Sequence, residues 1–184
     1  MLRLTLVCHG ATAANRGAAF PLDEPLEPRA LEAARALAGG WAAAPAFASP
    51  ALRARQTAEA MGLAAVVEPA LRDCDHGRWA GQAMAALAVR EPEAMAAFLR
   101  DPSARPHGGE SIGDLVARVG GWLDAIVQRR GAIVAVTHAA VIRAALVHVL
   151  TPPPEAFWRI DVPPLSATGL TWDGRRWAWR AGRA

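Results

Sequence analysis

The sequence predicts a three-layer α/β domain with a mostly parallel central sheet and a C-terminal hairpin. Three observations carry this. Apolar runs of strand length, Leu2–Val7 and Ala132–Val136, alternate with longer stretches whose apolar residues recur at helical spacing. Both runs are continuous and not alternating, as strands covered on both faces are. Near the end, Leu170–Trp179 carries Asp173-Gly174 between alternating apolar positions, a strong short-range hairpin signal.

The elements follow in order. Leu2–Val7 reads as a buried strand feeding a His9-Gly10 turn. Pro28 at a first helical turn, then Ala30, Leu31, Ala34, Leu37 and Ala38, closed by Gly39-Gly40, predicts a helix. Ala46–Ala48 reads as a second strand. Ser49 as N-cap and Pro50 as first helical residue start a helix to about Met61, with Gly62 as its stop and Arg53 in its first turn. Leu63–Val67 reads as a third strand ended by Pro69, Leu71–Gly81 as a loop, and Gly81–Arg100 as helical with an interruption at Pro92. After a Pro- and Gly-rich loop, Asp101–Gly109, the segment Glu110–Gln128 places Ile112, Leu115, Val119, Trp122, Leu123 and Ile126 on one face and predicts the longest helix. Ala132–Val136 reads as a central strand that passes through Thr137-His138 into a helix over Ala139–Leu150.

The 184 residues suit a single domain over 1–184, and 53% hydrophobic content excludes a chain disordered for want of apolar surface. No apolar run reaches the roughly 20 residues of a bilayer span, and the apolar stretch before His9 is too short for an export signal, so the expected location is cytoplasmic. Cys8 and Cys74 are then expected as reduced thiols. All 20 basic residues are arginine, which suits bidentate recognition of phosphate or carboxylate. Arg175, Arg176, Arg180 and Arg183, interleaved with Trp177 and Trp179, have the look of a nucleic-acid patch. Their alternation fits a hairpin with one buried face better, and nucleic acid is not expected as a partner.

Open α/β sheets bind ligands beyond the carboxyl ends of their strands, where His9 and His138 both fall. One such histidine is more often structural than chemical. Two at equivalent ends, each followed by a small residue, make a shared pocket an even match for the structural reading. Arg53, at the start of a helix, adds a guanidinium and a helix dipole that both favour an anion, and a phosphate group is the expected guest.

Cys8-His9-Gly10-Ala11-Thr12-Ala13-Ala14-Asn15 resembles the Arg-His-Gly-Glu-Thr-x-x-Asn signature of the histidine phosphatase superfamily, which includes phosphoglycerate mutases. Ser49–Ala58 is similar to the family's second motif and Leu71–Gly81 to its Leu-x-Glu-x-x-x-Gly-x-Trp-Glu-Gly loop. Gly108–Ser111 and Val136–Arg143 resemble its Gly-Glu-Ser and Thr-His-x-Gly-x-x-Arg segments. These five segments occur in family order from about Leu6 to Arg143.

The resemblance implies a phosphoglycerate mutase-like fold and hydrolysis of a small phosphomonoester, without metal or organic cofactor, through a phosphohistidine on His9. A neutral imidazole is nucleophilic near pH 7, and the covalent intermediate divides one displacement into two easier ones. By the same carry-over, Arg53 and His138 bind phosphoryl oxygens, Asn15, Gly10 and Thr12 support the phosphate site, and Asp73 stands where the family has a glutamate acid. Two departures bear on activity. Asp73 is one methylene shorter, and Cys8 replaces an arginine that clamps the phosphoryl group. Arg16 or Arg72 substitutes for that arginine, the enzyme is slow or acts on an unusual phosphate, or the pocket only binds. A mutase is a further alternative, disfavoured by the chain's length.

Cys8 is not expected as the nucleophile, because Cys-x5-Arg phosphatases need an arginine where Ala14 stands. Cys8, His9, Cys74 and His76 also suggest zinc, but adjacent strand residues point to opposite faces, and no metal is expected. His76 and His107 are expected in loops bordering the pocket, His148 in helix packing, and Glu110 in helix stability. Substrate selection is expected from Phe20–Leu26 and Gly81–Gly109. A small phosphorylated metabolite is the expected partner, and an oligomer is not readable.

Overall fold

The computed structural model describes residues 1–41 and 44–181. Its elements are β1 (Leu2–Cys8), α1 (Ala13–Arg16), α2 (Pro28–Arg35), β2 (Ala46–Ala48), α3 (Leu52–Ala60), β3 (Val66–Val67), α4 (Met84–Arg90), α5 (Pro92–Arg100), α6 (Ile112–Ile126), β4 (Gly131–Thr137), α7 (Ala139–Leu150), β5 (Ala167–Trp172) and β6 (Trp177–Arg180), with short 3₁₀ turns at Pro69–Leu71, Gly77–Trp79 and Pro154–Arg159. The strand order is β3-β2-β4-β1-β5-β6. β3, β2, β4 and β1 run parallel, and β5 and β6 add antiparallel at one side.

Strand pleat sorts the core into two layers. Leu2, Leu4, Leu6 and Cys8 of β1, with Ile133 and Ala135 of β4, pack on the face covered by α5, α6 and α7. Val7, Val134 and Val136 point the other way, onto α2 and α3 through Ala34, Ala54, Ala58 and Met61. Alternate residues of one apolar run therefore serve opposite layers, which is why β1 and β4 are apolar throughout. The chain leaves β1 toward β2 on one side of the sheet and leaves β4 toward β5 on the other. That divergence opens a crevice at the carboxyl ends of the two central strands.

Several boundaries differ from the sequence expectations. The third strand is two exposed residues, Val66–Val67, not Leu63–Val67, because it is an edge strand paired only with β2. The expected interruption at Pro92 parts Gly81–Arg100 into α4 and α5, since proline removes a helical donor and disfavours helix in the residue before it, but α4 starts at Met84 and not at Gly81. Ser49 is not the N-cap of α3. That cap is Ala51, and the Ser49 hydroxyl is engaged elsewhere. The predicted Arg- and Trp-rich hairpin forms as β5 and β6, with Trp172 opposite Trp177. Arg183 lies outside the described residues.

Two loops that frame the crevice are stitched by backbone. Glu110 N–H donates to Asp75 O at 2.8 Å and Arg78 N–H to His107 O at 3.0 Å. A Cβ at Gly109 would fall 2.1 Å from Asp75 O, and one at Gly77, whose φ is +47°, would fall 2.2 Å from His107 O. Only glycine permits this approach. Gly109→Ala is expected to destabilise the protein by about 1–3 kcal/mol, as overpacking does. Urea denaturation measures it, and an unchanged midpoint would show that the loops part without cost.

Candidate active site

The register of the central strands builds the site. Cys8 lies opposite Thr137 in the β1–β4 ladder, so the next residues, His9 and His138, emerge side by side with ring centroids 5.1 Å apart. The ladder continues one bond further, from His9 N–H to Thr137 O at 2.9 Å. β2 lies on the other side of β4, and its end delivers Ser49, whose hydroxyl is 2.7 Å from His138 Nε2. One turn later α3 contributes Arg53, almost fully buried.

Hydrogen bonds set the state of each ring. His9 Nδ1 is 2.7 Å from Gly10 O, which can only accept, so the proton is on Nδ1 and Nε2 is unprotonated. Arg53 Nε donates weakly to the Nε2 lone pair at 3.3 Å. Burial lowers the His9 pKa below the ordinary imidazole value, with Arg53 acting the same way, so the ring is neutral near pH 7. Ser49 Oγ takes the Ala51 N–H at 3.3 Å, leaving its own proton for His138 Nε2. His138 then carries its proton on Nδ1, which lies 3.2 Å from Asp73 Oδ2 but outside good hydrogen-bond geometry. Burial holds His138 neutral, with its pKa pushed down to about 3.

Asp73 sits on the Arg53 guanidinium and beside the neutral His138 ring. Its Oδ2 accepts from Arg53 Nη2 at 2.7 Å. Burial opposes ionisation, but His138 and Arg53 outweigh it and hold the carboxyl well below the usual carboxylate range. The Asp73 loop is braced from behind by Arg118 of α6, which donates to Ala70 O, Arg72 O and Asp73 O and pairs with Glu110 at 2.7 Å. Glu110 thus serves structure, while Ser111, not Glu110, caps α6.

The small cleft over these groups, about 150 Å³, is lined by His9, Thr12, Ala14, Asn15, Ala19, Pro21, Glu24, Arg53, Asp73, His76, Ala139, Ala140 and Arg143. A second hollow of about 350 Å³ shares Pro21, Arg53, Asp73 and His76 and extends to Arg72. Those four residues partition the two spaces. Asn15 Oδ1 accepts from Thr12 N–H at 2.9 Å, which leaves its amide NH₂ as a donor for the cleft. The Thr12 hydroxyl reaches Glu24 Oε1 at 3.0 Å.

Other expected residues are placed differently. Gly10 does not present its N–H to the cleft, because that group donates to Thr57 Oγ1 at 3.0 Å. A Cβ at Gly10 would meet Ala30 and Leu26 at 3.2 Å, so glycine lets α2 close over the turn. Arg16 faces away, paired with Glu27 at 2.5 Å and lining a separate surface hollow. Arg72 is half exposed, 3.5 Å from Glu110, and reaches only the outer hollow. Cys8 is 2% exposed and belongs to the core; burial pushes its thiol up to about 12, so it stays protonated. Cys74 is likewise a core thiol. His76 borders the cleft and packs on Phe20 at 4.5 Å, whereas His107 is buried behind it and accepts from Gly109 N–H at 3.0 Å. His148 packs beside α6, its ring filling the space left by Gly120. Among the described residues, no group of three or more His, Cys, Asp or Glu is placed to hold a metal ion.

Two cleft residues had no individual role in the sequence reading: Glu24, inside the Phe20–Leu26 loop expected to select substrate, and Arg143, the last residue of the Val136–Arg143 segment. Glu24 carries no local signal. Arg143 does: it is the one arginine in α7, whose only other polar residue is His148, and it is spaced three and four residues from Ala140 and Ala139.

Two expected outcomes follow from this geometry. His138 titrates near 6.5 when unfolded and near 3 when folded, so the unfolded chain binds the extra proton between those values. Stability is therefore full above about 6.5 and falls as the pH drops toward 3. His9, His76 and His107 are shifted the same way and share the slope. His138→Gln should flatten part of the pH dependence of Tm in this window; an unaltered profile contradicts a neutral His138. Asp73→Asn frees Arg53 and should tighten inorganic phosphate binding by roughly 10-fold, about 1.4 kcal/mol. Calorimetry decides, and weaker binding would show that the carboxylate does not compete for the anion's place.

Comparison with known proteins agrees with the fold and places the chain. A bifunctional protein of Mycobacterium tuberculosis is 33% identical over 144 residues, 74% of this chain and 39% of that protein. Phosphoserine phosphatase 1 of Hydrogenobacter thermophilus is 27% identical over 128 residues, 68% of this chain and 61% of that protein. The chain thus spans about two fifths of the length of the mycobacterial relative. A mycobacterial glucosyl-3-phosphoglycerate phosphatase solved with VO3 superimposes with a TM-score of 0.85 at 27% identity, covering 97% of this chain and 96% of that one. A phosphoglycerate mutase from Thermus thermophilus gives 0.77 at 33% identity over 98% and 99%. The family profile described as the histidine phosphatase superfamily (branch 1) matches residues 4–183, and the chain belongs to that superfamily.

Proposed function

We propose that this chain is a single-domain phosphatase that hydrolyses a small phosphomonoester through a phosphohistidine on His9. The observation that carries the reading is the unprotonated His9 Nε2, fixed by Gly10 O and facing a cleft lined also by Arg53 and Asn15, with His138 buried beside it, its ring 5.1 Å from that of His9. Its phosphatase relatives support the hydrolytic direction.

The substrate's phosphoryl group enters the small cleft and takes the place of the Asp73 carboxylate on Arg53 and beside His138 Nδ1–H. Arg53, His138 and the Asn15 amide bind the non-bridging oxygens, where a loose transition state spreads its charge. Asp73, displaced from Arg53 and facing a phosphate dianion, has its pKa raised, takes up a proton from solvent and becomes a proton donor. His9 Nε2 attacks phosphorus in line, the ester P–O bond breaks, and the leaving oxygen takes the Asp73 proton. Water then attacks the phosphohistidine, the P–N bond breaks, and Asp73 recovers a proton from that water. The leaving group occupies the outer hollow beyond the Asp73 and His76 partition. Positive charge comes from the protein's own guanidinium and N–H groups, so these steps call on no metal or organic cofactor.

The test is turnover of an aryl phosphate by the wild-type protein against His9→Ala, with rapid quenching to trap labelled protein. Turnover should fall at least 10³-fold in the variant, on the scale of a removed nucleophile. The label should be acid-labile and alkali-stable, as a phosphoramidate is. Equal rates in the two proteins reject the reading in favour of a pocket that only binds phosphate. Transfer of the label to a second hydroxyl acceptor in preference to water would mark a phosphotransferase instead.

A further inference from the structure

The charge balance of the small cleft identifies a residue that the mechanism above leaves idle. Two guanidiniums, Arg53 and Arg143, face two carboxylates, Asp73 and Glu24, across a cleft with neutral imidazoles. Each of the three nitrogens of Arg53 already has a partner: His9 through Nε, Leu22 O through Nη1 and Asp73 through Nη2. Arg143 differs. Its Nε donates to Ile160 O at 2.7 Å, which anchors the head group, and neither Nη has a protein partner among the described residues. Without it the carboxylates would outnumber the cations and repel a phosphate dianion.

Position supports the same assignment. Arg143 rises from α7 one turn after His138, beside Ala139 and Ala140, whose small side chains leave its path into the cleft open. Phe157 lies 5.9 Å from its guanidinium and limits its swing. Burial lowers the Arg143 pKa while Asp161 raises it, and the protonated Cys8 thiol offers neither a charge nor strong donors of its own. A half-buried guanidinium, fixed at one nitrogen and unsatisfied at two, is pre-organised for a planar two-donor contact with an oxyanion.

We propose that Arg143 is the second guanidinium of the anion site, donating through its Nη groups to a non-bridging phosphoryl oxygen in the small cleft. This makes good the positive charge that Cys8 lacks, without Arg16 or Arg72. The inference rests on the phosphatase reading, and its test separates the two.

Arg143→Gln, Arg143→Lys, Arg143→Ala and His9→Ala are compared with the wild type for aryl phosphate hydrolysis and vanadate inhibition. Arg143→Gln should lose roughly 10²-fold or more in kcat/KM, the scale of one removed transition-state donor. Vanadate inhibition should weaken in parallel, and Arg143→Lys should recover part of both. Added methylguanidinium should restore activity to Arg143→Ala and not to His9→Ala, a rescue that a packing role would not give. A wild-type measurement guards against unfolded variants: the Arg143 side-chain ¹⁵N resonances should shift on addition of inorganic phosphate together with those of His9. Should His9 shift and Arg143 stay still, or Arg143→Gln keep its rate and vanadate affinity within twofold, the Arg143 assignment is wrong and the phosphatase reading stands. Should His9→Ala match the wild-type rate, both fall.

Discussion

Everything at the site depends on the parallel pairing of β1 with β4. The register that sets Cys8 against Thr137 brings two imidazoles from opposite ends of the sequence to adjacent strand ends. The same ladder, extended through β2, brings Ser49 to one of those imidazoles. A slip by one residue would send His9 into the core and the Cys8 thiol into the cleft, since successive side chains alternate across the sheet. The two-sided apolar pattern of β1 and β4 guards against this, because either face exposed to the wrong layer would lose a packed row of Leu, Ile or Val.

A second constraint is electrostatic. The free protein keeps an anion on its own cations, and that anion is Asp73. A buried guanidinium without a counter-charge would be costly, so the carboxylate stabilises the empty site while marking where a phosphate would lie. Arg118 holds the loop from below through three carbonyl oxygens, leaving the Asp73 side chain as the part able to move.

Much of this arrangement is legible in the sequence. The layer order, the strands before His9 and His138, the first-turn position of Arg53 and the Asp173-Gly174 hairpin all follow from periodicity and turn chemistry. What fails does so for physical reasons. Ser49 has the residue type and the following proline of an N-cap, but a buried imidazole nearby competes for its hydroxyl. The third strand reads too long because an edge strand needs partners that local pattern does not reveal. Arg16 lies near the first motif in sequence, yet a short helix turns it outward to Glu27. Arg143 is distant from that motif, and only the β4–α7 geometry carries it in.

The segment from Ala19 to Glu24 that walls the cleft is not a free loop. Phe20 is anchored in a cluster with His76, Trp79 and Phe98, at centroid distances of 4.5 to 5.9 Å. Such a wall pays its ordering entropy when the chain folds and leaves little to lose when a guest arrives. Discrimination among guests then works by exclusion, through a template already cast, and a change of taste requires recasting the aromatic plug before the polar groups around it.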